Sequence, residues 1–288
     1  QKSGGGLYQQ INELCAERGV SEIAVEADTM TLAEADELSE KLDCKLDRSR
    51  ALSELIGEIR VIKTPEQIEK VIEAQRIAER GFEHMLDFIR EGVTEKEIQL
   101  ELDYFMLRNG AEGLSFDTIA LSGANTAMPH GIPTDKPVKR GEFVLMDFGA
   151  LADGWHSDMT RTVALGEPSE KMREVYDIVL KAQAAGINAA RAGINGSELD
   201  KVARDYIAAH GYGEYFGHSL GHGVGMEIHE APTASPTCEN VLEDGMIVTV
   251  EPGIYIEGEF GVRIEDFVVI RDNGCENMTR AEKSLIIL

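Results

Sequence analysis

The feature that most constrains the fold is a short pattern that occurs twice in the chain. Residues 92–98 (GVTEKEI) and 193–199 (GINGSEL) both place a glycine, an N-cap residue and a glutamate at the spacing of a helix-starting capping box. Each pattern opens a helix that ends at a second glycine, Gly110 or Gly211, and each comes after a longer helical stretch. We interpret the match as an internal duplication with two helix pairs. The alternative is a general helix-start signal used twice, and the residues after each pair decide between them.

The chain before the first helix pair has a different character. Residues 7–18, 31–42 and 48–58 read as helices and residues 22–26 as a strand, which predicts a short α/β segment. Thr64, Pro65 and Gln67 then combine an N-cap, a first-turn proline and a capping-box partner, so a long amphipathic helix begins there. We therefore expect an N-terminal part at residues 1–62 and a main domain at residues 63–288. Because the sequence opens on Gln1 rather than Met, we expect the first part to be the rear of a larger domain.

Charge and composition disfavour several classes of function. Lys and Arg total 28 against 52 Asp and Glu, for a formal net charge of −24. This charge repels phosphate backbones and anionic headgroups, so we expect no nucleic-acid partner and no membrane partner. No apolar run reaches the roughly 20 residues that span a bilayer, and the start lacks a signal-peptide layout. The cysteines are scattered with no C-x-x-C pair, which predicts neither disulfides nor a zinc knuckle. These features predict a cytoplasmic protein.

A β-hairpin with two carboxylates follows the first helix pair. Residues 142–150 read as a strand, and residues 156–164 read as its return strand. A turn centred just after Ala152 would place Asp147 directly opposite Asp158. Like charges facing each other destabilise a strand pair unless something positive lies between them.

The second helix pair is followed by the same arrangement. Residues 246–256 and 262–269 read as strands, and a turn centred on Gly258 would place Glu251 opposite Glu265. Two stretches of similar layout thus each deliver a facing carboxylate pair in apolar surroundings. Burying four carboxylates without cations is prohibitively costly, so the repeat favours duplication and predicts bound cations.

Two divalent metal ions would balance the four carboxylates. His222 lies in the glycine-rich run 221–225 (GHGVG) and is the candidate nitrogen ligand, because glycines permit close backbone approach. An oxygen-rich set with one nitrogen favours Mn²⁺, Co²⁺ or Fe²⁺, and Zn²⁺ remains a candidate.

Each of these residues, taken alone, has a plainer interpretation. Asp158 could pair with Arg161, Glu251 could belong to a turn, and His222 could be a hydrogen-bonded core histidine. Their mirrored positions in a repeated layout favour the metal site.

The motifs around these residues resemble a known family. They are DFG at 147–149, SDMTRT at 157–162, GHGVG at 221–225 with IHE at 228–230, VEPG at 250–253 and VRIED at 262–266. Together they closely resemble the Xaa-Pro aminopeptidase and prolidase branch of the pita-bread metallopeptidases, over about residues 60–288. The resemblance implies an α+β pita-bread (creatinase/aminopeptidase) fold with pseudo-two-fold duplicated halves. Part of an α/β N-terminal domain would precede it.

The resemblance also implies a ligand set. Two metal ions, usually manganese or cobalt, would lie between the halves, with Asp158 and Glu265 bridging both ions. Asp147 would bind one ion, and His222 with Glu251 would bind the other. A metal-bridging hydroxide would attack the peptide carbonyl before proline. Glu251 would carry the water's proton to the leaving nitrogen.

Further site residues come from the same resemblance. His130, His218 and His229 sit where the family holds the substrate carbonyl and stabilises the tetrahedral intermediate, although His130 alone could be a surface-loop histidine. Arg263 lies two residues from Glu265 on the same sheet face and is expected to pair with a ligand carboxylate. The remaining histidines are expected to be structural; they are His84, His156 and His210.

The implied substrates are proline-containing peptides or dipeptides, and the implied assembly is a homodimer. Xaa-Pro aminopeptidase and Xaa-Pro dipeptidase activity both remain open, and methionine aminopeptidase is a weaker match. Two other classes compete: a creatinase-like, metal-independent hydrolase, and a catalytically inactive pita-bread protein that serves as a peptide-binding module. Retained metal ligands count against both. One departure is the short front segment, since the family's N-terminal domain is longer than 62 residues and contributes to dimer contacts and to substrate-length limits.

Overall fold

A computed structural model describes residues 6–288. The chain divides into two compact units, Gln1–Arg60 and Val61–Leu288, and this division lies close to the boundary expected after residue 62. None of the helices in the described range is both long and apolar enough to cross a membrane.

The first unit is a small α/β arrangement. Its elements are α1 (Leu7–Arg18), β1 (Glu22–Ala24), α2 (Leu32–Lys41), β2 (Lys45–Asp47) and α3 (Ala51–Val61). The two strands pair in parallel, with Ile23 opposite Leu46, and α2 forms the crossover that parallel strands require. Thr31 and Glu34 close a capping box at the start of α2. The helices lie where the sequence predicts them, whereas β2 is too short to give a periodic signal.

The second unit combines helix pairs with antiparallel sheets. Its helices are α4 (Pro65–Phe88), α5 (Glu95–Arg108), α6 (Glu170–Ala189) and α7 (Gly196–Ala209), with 3₁₀ helices at Gly123–Ala127 and Gly213–Tyr215. Its strands are β3 (Gly113–Leu114), β4 (Ile119–Ser122), β5 (Glu142–Phe148), β6 (Ala150–Ala152), β7 (Trp155–His156), β8 (Met159–Leu165), β9 (Gly221–Gly223), β10 (Glu230–Ala234), β11 (Ile247–Val250), β12 (Gly253–Ile256), β13 (Phe260–Arg263), β14 (Asp266–Arg271) and β15 (Gly274–Asn277). The larger sheets have the strand orders β4-β5-β8 and β11-β14-β15.

The two repeated sequence patterns adopt the same local structure. Both form the predicted capping boxes, at the start of α5 and of α7. Gly92 N donates to Val138 O at 2.9 Å, and Val138 N donates back to the residue after Gly92 at 2.8 Å. Gly193 and Leu242 repeat this exchange at 2.9 and 2.8 Å. The backbone dihedral φ is +89° at Gly92 and +86° at Gly193, a left-handed conformation that explains the glycines.

Each helix pair packs on one of the larger sheets. One apolar cluster joins α4 and α5 to β5 and β8, and another joins α6 and α7 to β11 and β14. Along β5, Val144, Met146 and Phe148 belong to the first cluster, while Phe143 belongs to the second. Alternate residues of a strand point to opposite faces. Asp147 therefore points away from α4 and α5, on the face of Phe143.

The first hairpin departs from the expected register. Asp147 lies opposite Thr160, not opposite Asp158, and Leu151 lies opposite His156. The turn is centred one residue later than expected, on Asp153 and Gly154, which have φ of +50° and +74°. A two-residue turn of this kind needs positive φ at both central positions, and the Asp-Gly pair provides it. The prediction of facing aspartates in this hairpin was wrong.

The second hairpin keeps the expected register. Ile254 lies opposite Val262, and Val250 lies opposite Asp266. The chain reverses around Gly258, whose φ is +77°. Glu251 and Glu265 each lie in the short break between two strands of this long hairpin. The strand pairs on both sides of these breaks share one register, and in that register Glu251 and Glu265 occupy opposite positions.

Candidate metal centre

A cavity of about 330 Å³ in the second unit gathers the residues that the sequence singled out. All of the predicted ligands and all of the predicted catalytic residues line it; they are Asp147, Asp158, His222, Glu251 and Glu265, with His130, His218, His229 and Arg263. Phe116, Ile119 and Pro129 add an apolar part to its wall. The two hairpins and the connecting loops therefore meet at one place.

The strands and the breaks between them position the acidic residues. Asp147 belongs to β5, and Asp158 lies just before β8. Glu251 follows β11, and Glu265 lies between β13 and β14. The corrected register keeps Asp158 close to Asp147, because Asp158 is two residues from Thr160 and so shares its face of the strand.

The imidazole of His222 lies beside two carboxylates of the acidic cluster. Its Nε2 is 3.5 Å from Oδ2 of Asp158 and 3.3 Å from Oε1 of Glu251. Ligand atoms of Asp158, His222 and Glu265 lie within 4.8 Å of one another. This spacing and this mixture of oxygen and nitrogen atoms suit a divalent cation.

Backbone contacts fix the orientation of His222. Its Nδ1 is 3.1 Å from Gly223 O, and because a carbonyl oxygen only accepts, Nδ1 carries the proton and Nε2 faces the carboxylates. The hydroxyl of Thr249 accepts from His222 N at 3.0 Å and donates to Oε1 of Glu251 at 3.0 Å. A Cβ at Gly221 would lie 1.9 Å from Thr249 O, so glycine is needed for this close approach.

The carboxylates sit in an environment that penalises their charge. Burial, reinforced by neighbouring carboxylates, raises the pKa of Asp158 and the pKa of Glu265 well above their ordinary values. Burial also raises the pKa of Glu251 to about 8. Such shifts show a site that lacks enough positive charge from the protein alone.

Unpartnered oxygens indicate where cations would bind. Among the described residues, three buried carboxylate oxygens of this cluster have no hydrogen-bond partner: Oδ1 of Asp147, Oδ1 of Asp158 and Oε1 of Glu265. Buried polar atoms are almost always paired in folded proteins. These atoms therefore fit a divalent metal site, and the donor set agrees with it.

Arg263 and Tyr255 form a polar layer behind the cluster. Arg263 is buried and donates through Nη2 to Oδ2 of Asp147, through Nη1 to the hydroxyl of Tyr255 at 2.8 Å, and through Nε to Thr160 Oγ1 at 3.0 Å. Thr160 in turn donates to Oε2 of Glu265 at 2.7 Å. The expected pairing of Arg263 with a carboxylate of the cluster is present in the structure.

Tyr255 is a site residue that sequence reasoning missed. It lies 2.8 Å from Nε2 of His218, and Nδ1 of His218 is 2.8 Å from Ser219 O. Burial lowers the pKa of His218 to about 4, so its ring is neutral at pH 7. With Nδ1 protonated, Nε2 accepts from the hydroxyl of Tyr255. A signal for Tyr255 was present in the hairpin register, because Tyr255 lies two residues from Gly253, the partner of Arg263, and so on the same face as Arg263.

The plainer interpretation of Asp158 does not hold. Arg161 is buried and pairs instead with Asp266, Nη2 to Oδ1, at 2.7 Å. It also donates to the backbone carbonyls of Thr160 and Glu265. Arg161 therefore supports the backbone around the cluster rather than neutralising Asp158.

The histidines expected to be structural contact other parts of the fold. His84 lies 2.7 Å from Glu101 and stacks on Phe105. Nδ1 of His156 is 2.9 Å from Ser115 Oγ, and Nδ1 of His210 is 2.8 Å from Tyr206 O. None of the three lines the cavity.

Carboxylates and an imidazole that converge in a cavity, with unpartnered ligand oxygens, are typical of metal-dependent hydrolytic enzymes. The family model described as Metallopeptidase family M24 matches residues 69–272. The chain belongs to this family. It is an α+β protein with the pita-bread fold of the family, and divalent metal ions are part of the family's chemistry.

Individual relatives support this assignment. A solved Xaa-Pro dipeptidase from Bacillus anthracis is 46% identical, with a TM-score of 0.95, and the match covers 99% of this chain and 80% of that one. A solved X-Pro aminopeptidase from Thermotoga maritima is 40% identical, with a TM-score of 0.93 and coverage of 100% and 81%. The Xaa-Pro dipeptidase of Pyrococcus furiosus is 45% identical over 258 residues, which is 90% of this chain and 74% of that protein.

Proposed function

We propose that this protein hydrolyses the peptide bond before proline, as an Xaa-Pro dipeptidase or Xaa-Pro aminopeptidase. The observation that carries the proposal is the convergence of Asp147, Asp158, His222, Glu251 and Glu265 on one cavity, with three of their buried oxygens unpartnered. Relatives named as Xaa-Pro dipeptidases and as an X-Pro aminopeptidase, at 40–46% identity, support the choice of substrate.

The five residues would hold two divalent metal ions, with Mn²⁺ as the first candidate and Co²⁺, Fe²⁺ or Zn²⁺ as alternatives. When bound, such ions polarise a substrate carbonyl and supply a nucleophilic oxygen at neutral pH. The charges support two ions, because four carboxylates balance two divalent cations. Second-layer contacts from Arg263, Thr160 and Thr249 orient the ligand carboxylates, as supporting residues of metal sites commonly do.

The chain's own residues would handle protons and substrate. Glu251 accepts a hydrogen bond from Thr249 on Oε1, so its other oxygen is the candidate to take a proton from water and pass it to the leaving proline nitrogen. His130, His218 and His229 line the cavity and would orient the substrate carbonyl. The apolar wall of Phe116 and Ile119 would exclude water from the reacting groups.

The first test is hydrolysis by metal-stripped protein before and after addition of Mn²⁺. An Xaa-Pro dipeptide and an Xaa-Pro-Yaa tripeptide are compared, with the matching Xaa-Ala peptides as controls. Mn²⁺-dependent cleavage of only the proline peptides supports the proposal, and the ratio of the two rates decides between dipeptidase and aminopeptidase. No cleavage with metal demonstrably bound would favour the competing peptide-binding role. Undiminished cleavage without metal would favour a creatinase-like hydrolase.

Three further proposals concern the whole molecule. We propose that the matching helix starts and hairpins of the second unit are pseudo-two-fold duplicated halves, supported by the shared exchange of backbone hydrogen bonds at Gly92 and Gly193. We propose that residues 1–62 belong to an α/β N-terminal domain, supported by the parallel pairing of β1 with β2 and by α2 as the crossover between them. We propose a cytoplasmic homodimer, and light scattering of the purified protein tests the dimer.

A further inference from the structure

One segment of the cavity wall depends on helix α7 for its hydrogen bonds. Residues 216–220 connect the 3₁₀ helix Gly213–Tyr215 to β9 and carry His218 into the cavity. These residues belong to no helix or strand, so their backbone groups need partners from elsewhere in the fold. Two side chains of α7, Asp200 and Arg204, provide them.

Asp200 and Arg204 form a paired clamp on this segment. They lie one helical turn apart, and the guanidinium of Arg204 donates to both carboxylate oxygens of Asp200 at 2.7 and 2.9 Å. Arg204 also donates to Phe216 O at 2.9 Å and to His218 O at 2.8 Å. Asp200 accepts from Leu220 N at 3.0 Å. The pair therefore binds the segment at its beginning, its middle and its end.

The clamp is a largely buried ion pair of fixed geometry, not an exposed surface pair. The side chain of Asp200 is 1% exposed and that of Arg204 is 27% exposed. The guanidinium carbon lies 4.3 Å from the ring centroid of Phe216, so the cation also stacks on an aromatic face. A planar guanidinium with donors pointing in several directions can make all these contacts at once, whereas a lysine cannot.

The segment also contacts the cavity, through the side chain of His218. The ring of Phe216 meets the ring of His218 edge-on at 5.1 Å, and Nε2 of His218 bonds to Tyr255. Arg204 thus holds the backbone of His218 while Tyr255 holds its tip. Leu220 O accepts from Glu251 N at 2.9 Å, so the same segment also contacts the chain at a candidate metal ligand.

We propose that Asp200 and Arg204 are positioning residues that hold His218 where it orients the substrate carbonyl. This inference rests on the proposed peptidase function, since it assigns a role to His218 in that reaction. Neither residue lines the cavity, and both act through the backbone of residues 216–220. Displacing a substrate-orienting group is costly, because a misplacement of about 1 Å can lower the rate about 100-fold.

The test compares Arg204→Met, Arg204→Lys and a matched control on the same helix. Lys201→Met is the control, because Lys201 pairs with Asp205 at the same spacing but on an exposed face, with side chains 70% and 61% exposed. In Mn²⁺-loaded enzyme, Arg204→Met should lower kcat/KM on an Xaa-Pro dipeptide about 10-fold or more. Arg204→Lys should fall between Arg204→Met and the parent, and Lys201→Met should match the parent. Metal content should be unchanged in all three.

A double-mutant cycle separates positioning from general damage. If Arg204 acts through His218, Arg204→Met should have almost no further effect on kcat/KM in a His218→Ala background. An equal fold-loss in both backgrounds would overturn the proposal, as would loss of metal, which would place the effect on Glu251 instead.

Amide hydrogen exchange tests the clamp independently of catalytic activity. Amides of residues 216–220 should exchange faster in Arg204→Met than in the parent or in Lys201→Met. Unchanged exchange would show that Arg204 does not hold residues 216–220 in place. Faster exchange with unchanged kcat/KM would show that this contact does not matter for catalysis. A parent protein that binds metal yet cleaves no proline peptide would refute the proposed function and, with it, the role of His218. The exchange data would still show whether Asp200 and Arg204 hold residues 216–220.

Discussion

The guanidinium of Arg263 donates a hydrogen bond to Oδ2 of Asp147, and the opposite oxygen of that carboxylate is one of the unpartnered atoms of the cavity. One face of Asp147 is thus held by a fixed cation, and the other is left for a ligand. Arg263 is 2% exposed, so its charge is not screened by water and acts at short range. The pairing orients the aspartate before any metal binds.

Replacing Arg263 tests this arrangement. Arg263→Lys keeps a charge but loses the fork that reaches Asp147, Tyr255 and Thr160 together. We expect metal affinity to fall about 10–100-fold, with a matching loss of kcat/KM, because supporting contacts typically contribute that much. Calorimetric Mn²⁺ titration of stripped protein measures it. Arg271→Lys, at a partly exposed ion pair with Glu276, is the control and should bind metal normally. Parent-like affinity in Arg263→Lys would show that Asp147 needs no such support.

Most of the local structure that surrounds the site could be predicted because its signals lie within a few neighbouring residues. The capping boxes at Thr64, Thr94 and Asn195 fix helix starts from four consecutive residues, and all three formed as predicted. The second hairpin was also read correctly, since Gly258 marks its turn. The first was misread because the turn is centred between Asp153 and Gly154, one residue after the expected centre between Ala152 and Asp153. This difference moves the partner of Asp147 by two residues, from Asp158 to Thr160.

Contacts between distant segments were beyond prediction from the sequence. Asp200 and Arg204 have the spacing of an ordinary helix-surface ion pair, the same as Lys201 and Asp205. Only the fold shows that the first pair faces residues 216–220 and that the second faces solvent. Likewise, Arg161 of β8 pairs with Asp266 of β14, a strand of another sheet, and not with its near neighbour Asp158.

Glu251→Gln separates proton handling from metal binding. The amide keeps the shape of the side chain and one ligand oxygen but cannot accept and release a proton. We expect kcat to fall at least about 100-fold, while most of the metal stays bound. Turnover of the parent, of Glu251→Gln and of the exposed-turn variant Glu257→Gln is measured beside metal content by plasma mass spectrometry. Near-normal turnover in Glu251→Gln would remove Glu251 from the proton pathway.

Asp158→Asn should have a different signature. Asp158 is buried and has an unpartnered oxygen within the cluster, so losing its charge removes attraction for cations directly. We expect fewer bound metal ions per chain as well as a loss of rate. Asp153→Asn, at the exposed turn where Asp153 pairs with Lys70, serves as the control for lost negative charge. Full occupancy by two ions in Asp158→Asn would contradict its assignment as a bridging ligand.

The raised carboxyl pKa values predict how pH changes the stability of metal-free protein. Burial raises the pKa of Glu251 to about 8, and raises the pKa of Asp158 and of Glu265 in the same direction. The folded state therefore binds more protons than the unfolded chain between the ordinary carboxyl pKa, about 4 to 4.5, and the raised values. Its stability must fall as pH rises through that window.

Metal binding reverses this dependence. Ligand carboxylates must be deprotonated to bind, so affinity for Mn²⁺ rises with pH and binding releases protons. We expect the melting temperature of stripped protein to decrease from about pH 5 to about pH 8, and the increase caused by saturating Mn²⁺ to grow over the same range. Scanning calorimetry with and without Mn²⁺ measures both trends. In Glu251→Gln the decrease of the stripped protein should be smaller, because one titrating group is gone. A Mn²⁺ effect that is the same at every pH would show that the cluster is already ionised without metal.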